Sequence, residues 1–168
     1  CVNSIMLPGS LSKSTYSIHD YPYDEKKGMK LLFIPTKGSS KFCNLNTPTH
    51  IPALLKIADS NSASVLCIHF HGNGCDAAEV EACGDSESYA FMANYLIVEY
   101  PKFGIAKGFP SESVIDSIAK DVYKFVVNDL GVPADRIVLI GRSIGTGPVC
   151  NLASYMEEIG SPAVAMIL

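Results

Sequence analysis

The sequence contains no apolar run approaching the roughly 18 residues that a membrane-crossing helix requires, so nothing in it reads as a span. It also lacks an excess of positive charge. Thirteen Lys and Arg against seventeen Asp and Glu leave a net charge of −4, which excludes the basic footprint of a nucleic-acid-binding protein. No internal repeat and no Cys-x-x-C pair occurs. The six cysteines, at 1, 43, 67, 75, 83 and 150, are scattered, and Cys67 falls inside an apolar run. They read as reduced thiols of an intracellular, cytoplasmic protein and not as a disulfide framework. Residue 1 is Cys and not Met, so any signal, anchor or acylated segment upstream is invisible here. Histidine is missing where it would be most informative. All four, at 19, 50, 69 and 71, precede residue 72, and residues 144–168 offer Glu157 and Glu158 but no histidine.

What is present suits one globular domain: 168 residues, of which 48% are hydrophobic and 18% charged. Residues 1–28 hold Pro8, Gly9, Pro22 and several serines and read as an irregular N-terminal stretch. From 29 to 168 strands and helices alternate. Met29–Pro35, Ile51–Ile57, Val65–Phe70, Tyr95–Tyr100, Ile137–Ile140 and Ala163–Leu168 are strand runs. Residues 76–92, interrupted by Gly84, then 113–130 and 145–158 read as helices. In the second, Ile115, Ile118, Val122, Phe125 and Val126 recur at helical period. Ser113 with Asp116 makes a capping-box-like start for it, and Gly131 and Pro133 end it. Alternation at this spacing predicts an α/β fold with a doubly wound, mostly parallel sheet.

Residues 136–147, Arg-Ile-Val-Leu-Ile-Gly-Arg-Ser-Ile-Gly-Thr-Gly, carry the chemistry. A buried-strand run is followed at once by Gly141-Arg142-Ser143-Ile144-Gly145 and then by a helix-compatible segment. Gly-x-Ser-x-Gly in that setting is a nucleophile elbow. The serine must ride a turn tight enough to lift its hydroxyl clear of the sheet. Side chains at 141 and 145 would then collide with the neighbouring helix and strand. The bland reading makes the glycines packing residues and Ser143 an ordinary N-cap.

A second segment favours the catalytic reading. The run from Val65 ends in His71-Gly72-Asn73-Gly74. A hydrolase of this type needs a second backbone N–H after an earlier strand, and Gly72 permits the backbone angle that turns the next amide toward the site. The two oxyanion donors are assigned to the backbone N–H groups of Asn73 and Ile144, with His71 and Gly72 as loop support. The His71 side chain reads as bonded to backbone. His69 and His71 alternate onto one strand face, and a metal pair there is the lesser alternative, because no Asp or Glu stands at a telling spacing. Cys75 beside this loop reads as packing, with a redox or acyl-accepting role as the lesser alternative. No cofactor and no metal is called for.

Four pieces now carry a resemblance: His71-Gly72-Asn73; Tyr100-Pro-Lys-Phe-Gly104 with Gly108-Phe-Pro-Ser-Glu112; Gly141–Gly147; and Ala163–Leu168. Residues 65–168 resemble the intracellular alpha/beta-hydrolase-domain serine hydrolases. Within them, they are similar to the acyl-protein thioesterase branch, which removes palmitate from membrane-attached proteins. Phe103 takes the second aromatic position of that family's Tyr-x-x-Tyr-Gly loop. Residues 1–64 match only loosely. The resemblance implies a triad in chain order Ser, Asp or Glu, then His. Here the order breaks, since no histidine follows Ser143 and Glu157 and Glu158 read as solvated helix charges. The chain is therefore expected to hold the N-terminal part of the fold, to leave an edge strand unpaired at its end, and to lack turnover by itself.

Two functions stand. One is a serine hydrolase acting on an acyl ester or on an acylated protein, through an acyl-enzyme on Ser143; related peptidases and lipases share its fold. The other is a non-catalytic binding module on the same fold. Lys102, Phe103, Lys107 and Phe109 interleave cations with aromatics in a loop at the ligand-binding edge of the sheet, which reads as a peripheral membrane contact or acyl entrance, or equally as a solvated loop whose phenylalanines tuck into the domain.

Overall fold

The computed structural model describes residues 13–19, 29–36, 48–58, 64–83 and 93–168. Within them, six strands form one sheet: β1 (Met29–Pro35), β2 (His50–Lys56), β3 (Leu66–Phe70), β4 (Asn94–Val98), β5 (Ile137–Gly141) and β6 (Ala165–Ile167). Their order is β1-β2-β4-β3-β5-β6. β1 pairs antiparallel with β2, and β2 antiparallel with β4. From β4 onward every pairing is parallel. The mostly parallel sheet expected from the alternation is therefore present, with an antiparallel pair added at one side.

Among the described residues, three α-helices lie in the crossovers: α1 (Ala77–Ala82), α2 (Glu112–Asn128) and α3 (Thr146–Glu158). The strand period of two decides what each face meets. Leu66, Ile68 and Phe70 of β3 and Leu96 and Val98 of β4 join Ile118, Val122 and Val126 of α2 and Val149, Leu152 and Met156 of α3 in the main core. Ile97, one register step away, packs on the opposite face with Ala77, Ala78 and Val80 of α1. Helices thus cover both faces, and β3 is buried along its whole length. That explains why its sequence, apart from His69, is apolar and does not alternate. Each fully buried aliphatic side chain contributes about 1.5–3 kcal/mol.

The helix starts differ from expectation in one instructive place. α2 is capped by Ser111, not Ser113. Ser111 is extended, at φ −149°, and its hydroxyl accepts the Val114 N–H. Asp116, expected to complete the cap, instead accepts a hydrogen bond from the Asn151 side chain of α3 at 2.9 Å. At α1 a full capping box is present between Asp76 and Glu79. The proposed interruption at Gly84 lies outside the described residues.

Residues 13–19, part of the irregular N-terminal stretch, have no regular structure but are firmly docked. The Thr15 N–H and hydroxyl donate to the two carboxylate oxygens of Asp76 at 2.8 and 2.6 Å. Tyr16 packs with Met29, Leu54 and Ile97.

Candidate active site

β5 delivers the chain to the elbow. Arg142 is extended, Ser143 turns to φ +53°, a single 3-10 turn covers Ser143–Gly145, and α3 begins at Thr146. A serine in the left-handed region costs about 1–2 kcal/mol, and the turn is held by several bonds. The Arg142 N–H donates to Phe70 O at 3.0 Å and the Gly145 N–H to Arg142 O at 2.9 Å. The Thr146 hydroxyl donates to Ser143 O at 2.7 Å. Ser143 itself is exposed.

The two flanking glycines have no room for a side chain. A Cβ on Gly141 would stand 2.7 Å from Gly145 O, and one on Gly145 would overlap the Phe70 carbonyl at the end of β3. Both obstacles are backbone, so neither can swing aside. The expected collision with strand and helix start is what the geometry contains.

The loop after β3 lies against the elbow. A Cβ on Gly72 would meet the Ser143 Cβ at 3.7 Å, which places this loop and the serine in contact. Ile144 sits in the turn beside it and forms part of the wall of a cavity of about 470 Å³. That cavity lies between the N-terminal ends of α2 and α3, with Tyr100, Ile115 and Pro148 also on its walls and Glu112 and Asp116 at its acidic side.

His71 is fully buried, and both its ring nitrogens are engaged. Nδ1 donates to Gly72 O at 2.8 Å, and Nε2 faces Glu99 Oε1 at 2.9 Å. The expected backbone bond is there. The Glu99 bond was not legible, and together the two leave no ring nitrogen for a metal, so the His69–His71 metal pair is set aside. No cluster of three or more potential metal ligands occurs among the described residues.

Glu99 is the residue that sequence reasoning missed. Its carboxylate, also fully buried, gathers four donors. Oε1 receives His71 Nε2 and the Tyr100 N–H, while Oε2 receives the Tyr16 hydroxyl at 2.9 Å and the Ala77 N–H at 3.1 Å. Gly104 makes room for it, because a Cβ there would overlap Glu99 Oε2 and approach Tyr16. Burial opposes charge on His71, but the bonds to Cys75 and Glu99, the Glu99 charge and the Gly72 carbonyl outweigh it and push its pKa up to about 10. The net direction favours the protonated ring beside the Glu99 carboxyl group. Burial first, then the Glu99 charge, pushes the Tyr16 hydroxyl well above its ordinary value, so it stays a donor.

The aromatic loop divides. Phe103 is 1% exposed and packs beside Tyr100, so for this residue the tucked-in reading holds and not the membrane contact. Phe109 is 57% exposed, with Lys102 Nζ 5.5 Å from its ring centre. Cys67, Cys75, Cys83 and Cys150 are free thiols. Glu157 and Glu158 are exposed at the far end of α3, away from the serine.

Comparison with known proteins follows the same lines. No family model matches the chain. It is 30% identical over 84 residues to the alpha/beta hydrolase domain-containing protein aho-3 of Caenorhabditis elegans, a match covering 50% of this chain and 25% of that protein. It is 29% identical over 96 residues to alpha/beta hydrolase domain-containing protein 17C of Homo sapiens, covering 57% and 29%. The chain thus spans between a quarter and a third of these curated relatives. Among solved structures, an alpha-beta hydrolase from Vibrio vulnificus superposes with a TM-score of 0.75 at 17% identity, over 98% of this chain and 55% of that one. An esterase of Pyrococcus furiosus superposes with a TM-score of 0.59 at 17% identity, over 90% and 53%. No helix among the described residues is long and apolar enough to cross a membrane. The sheet order, the crossover helices and the sharp turn at Ser143 together make this the alpha/beta-hydrolase fold.

Proposed function

We propose that the protein containing this chain is a serine hydrolase that cleaves an acyl ester or thioester through an acyl-enzyme on Ser143. The observation that carries this reading is the strained elbow: Ser143 at φ +53°, exposed, between two glycines wedged against backbone. Such strain at a surface hydroxyl has no packing benefit and matches the requirement for a nucleophile. Ser143 Oγ attacks the acyl carbon while a base takes its proton. The backbone N–H groups of Asn73 and Ile144 hold the oxyanion. The C–O or C–S bond then breaks, the leaving alcohol or thiol takes the proton, and water releases the acid from the acyl-enzyme. His71 is committed to Glu99 and Gly72 and is therefore not assigned as the base.

The finer proposal is removal of long-chain acyl groups from cysteines of membrane-attached proteins. The similarity to alpha/beta hydrolase domain-containing protein 17C supports the hydrolase part of this reading, and the long-chain acyl part rests on the sequence resemblance alone. Exposed Phe109 beside Lys102 supplies a small cationic–aromatic contact for an anionic membrane.

The test uses the full-length protein. A fluorophosphonate probe should label it, and Ser143→Ala should abolish labelling. Palmitoyl thioesters should be preferred over acetyl esters, and Phe109→Ala should weaken action on vesicle-bound substrate only. An unlabelled native protein would leave the binding-module reading in place. Equal efficiency on both acyl lengths would reduce the protein to a general esterase.

A further inference from the structure

We propose that Tyr16, Glu99 and His71 form a positioning chain that aims the Asn73 amide at the reaction centre. This rests on the hydrolase reading above and concerns how its oxyanion loop is held. The argument begins with the peptide bond between Gly72 and Asn73. A trans peptide is planar, so its carbonyl and N–H point in opposite directions. His71 Nδ1 holds the Gly72 carbonyl at 2.8 Å. The Asn73 N–H is therefore turned away from the His71 ring, and it can swing only if that bond breaks.

The ring in turn is fixed from three sides. Glu99 Oε1 holds Nε2 at 2.9 Å. The Tyr100 hydroxyl donates to the His71 carbonyl at 2.7 Å, so the carbonyls of both His71 and Gly72 are clamped. The Tyr100 ring lies 4.4 Å from the imidazole, centre to centre, and Phe103 lies 5.8 Å away. Glu99 is itself held by the Tyr16 hydroxyl and by the Ala77 N–H at the start of α1. The charged and titratable groups around the ring are Glu99, Cys75, Tyr16 and Tyr100, with Asp76 beyond Tyr16. Because each link is buried and bonded, a change at Tyr16 reaches Asn73 through Glu99 and His71 without any of the three touching substrate. They are positioning residues, not catalytic ones.

The experiment compares the full-length native protein with Glu99→Gln and Tyr16→Phe. It measures kcat and KM on a short nitrophenyl ester, the rate of Ser143 labelling by fluorophosphonate, and the protonation of the His71 ring nitrogens by NMR. Glu99→Gln should lower kcat and the labelling rate by about 10- to 100-fold with little change in KM, since mis-aiming one oxyanion donor approaches the loss of that donor. Without the Glu99 charge the His71 pKa should fall, so the ring loses its second proton at lower pH than in the native protein. Tyr16→Phe removes only a hydroxyl and stands in if Glu99→Gln does not fold; a few-fold loss in kcat at constant KM is expected. A native protein whose Ser143 is not labelled removes the hydrolase reading, and this proposal with it. A labelled native protein, with folded variants of undiminished kcat, removes this proposal alone.

Discussion

At the scale of single residues, Ser143 carries a cost that glycine would not. Its φ of +53° lies where an L side chain is crowded and glycine is not. Replacing Ser143 with Gly should therefore stabilise the folded protein by up to about 1 kcal/mol, net of glycine's extra freedom when unfolded, while abolishing labelling. Ser143→Ala should abolish labelling without the gain. Chemical denaturation of the two variants checks this, and equal stability would show that the turn is unstrained. The strain was legible in the sequence because Gly141 and Gly145 announce it. Both report a local backbone collision, which depends on the next few residues and on one strand. Glu99 announces nothing. It ends an apolar run as any solvated strand terminus would, and its partners His71 and Tyr16 are 28 and 83 residues away. Phe103 and Phe109 show the same limit. Two phenylalanines in one loop have opposite fates because the packing of Tyr100 and His71 decides them.

At the scale of elements, the strands and helices follow their apolar periods closely, since burial on one or both faces selects those periods directly. Their ends follow local hydrogen bonds that two serines can compete for. Ser111 and Ser113 are both good caps by type. Ser111 takes the cap because the chain leaving Gly108 and Pro110 reaches it extended. Ser111→Ala should cost about 1 kcal/mol and Ser113→Ala only a few tenths, read from paired thermal melts. Equal costs would mean that α2 starts where the sequence alone suggests. The capping box at Asp76 has a second task, because Asp76 also receives Thr15, so Asp76→Ala would loosen a helix start and a docked segment together.

At the scale of the whole molecule, the parallel order β4-β3-β5-β6 follows from right-handed crossovers. The antiparallel placing of β1 and β2 does not, because the sequence between them gives no short turn that fixes the pairing. Among the described residues, edge strand β6 pairs only with β5, and Ala165, Met166 and Ile167 are all exposed. An apolar edge of this kind is a template for further pairing. A polypeptide of these 168 residues should therefore self-associate. Met166→Lys should reduce the association, as sedimentation at rising concentration would show; a monomer at all concentrations would contradict it.

The docked N-terminal segment has a bearing on how the molecule opens. Tyr16 and Thr15 tie residues 13–19 to β4, to the Asp76 cap and, through Glu99, to the loop at Gly72. Terminal segments ordinarily exchange their amide hydrogens early and independently. Here the Thr15 amide is itself bonded into the shared cluster, so its exchange should be slowed together with that of the Gly72 loop and the start of α1. A stretch with no regular structure should thereby share the protection of the loop it braces.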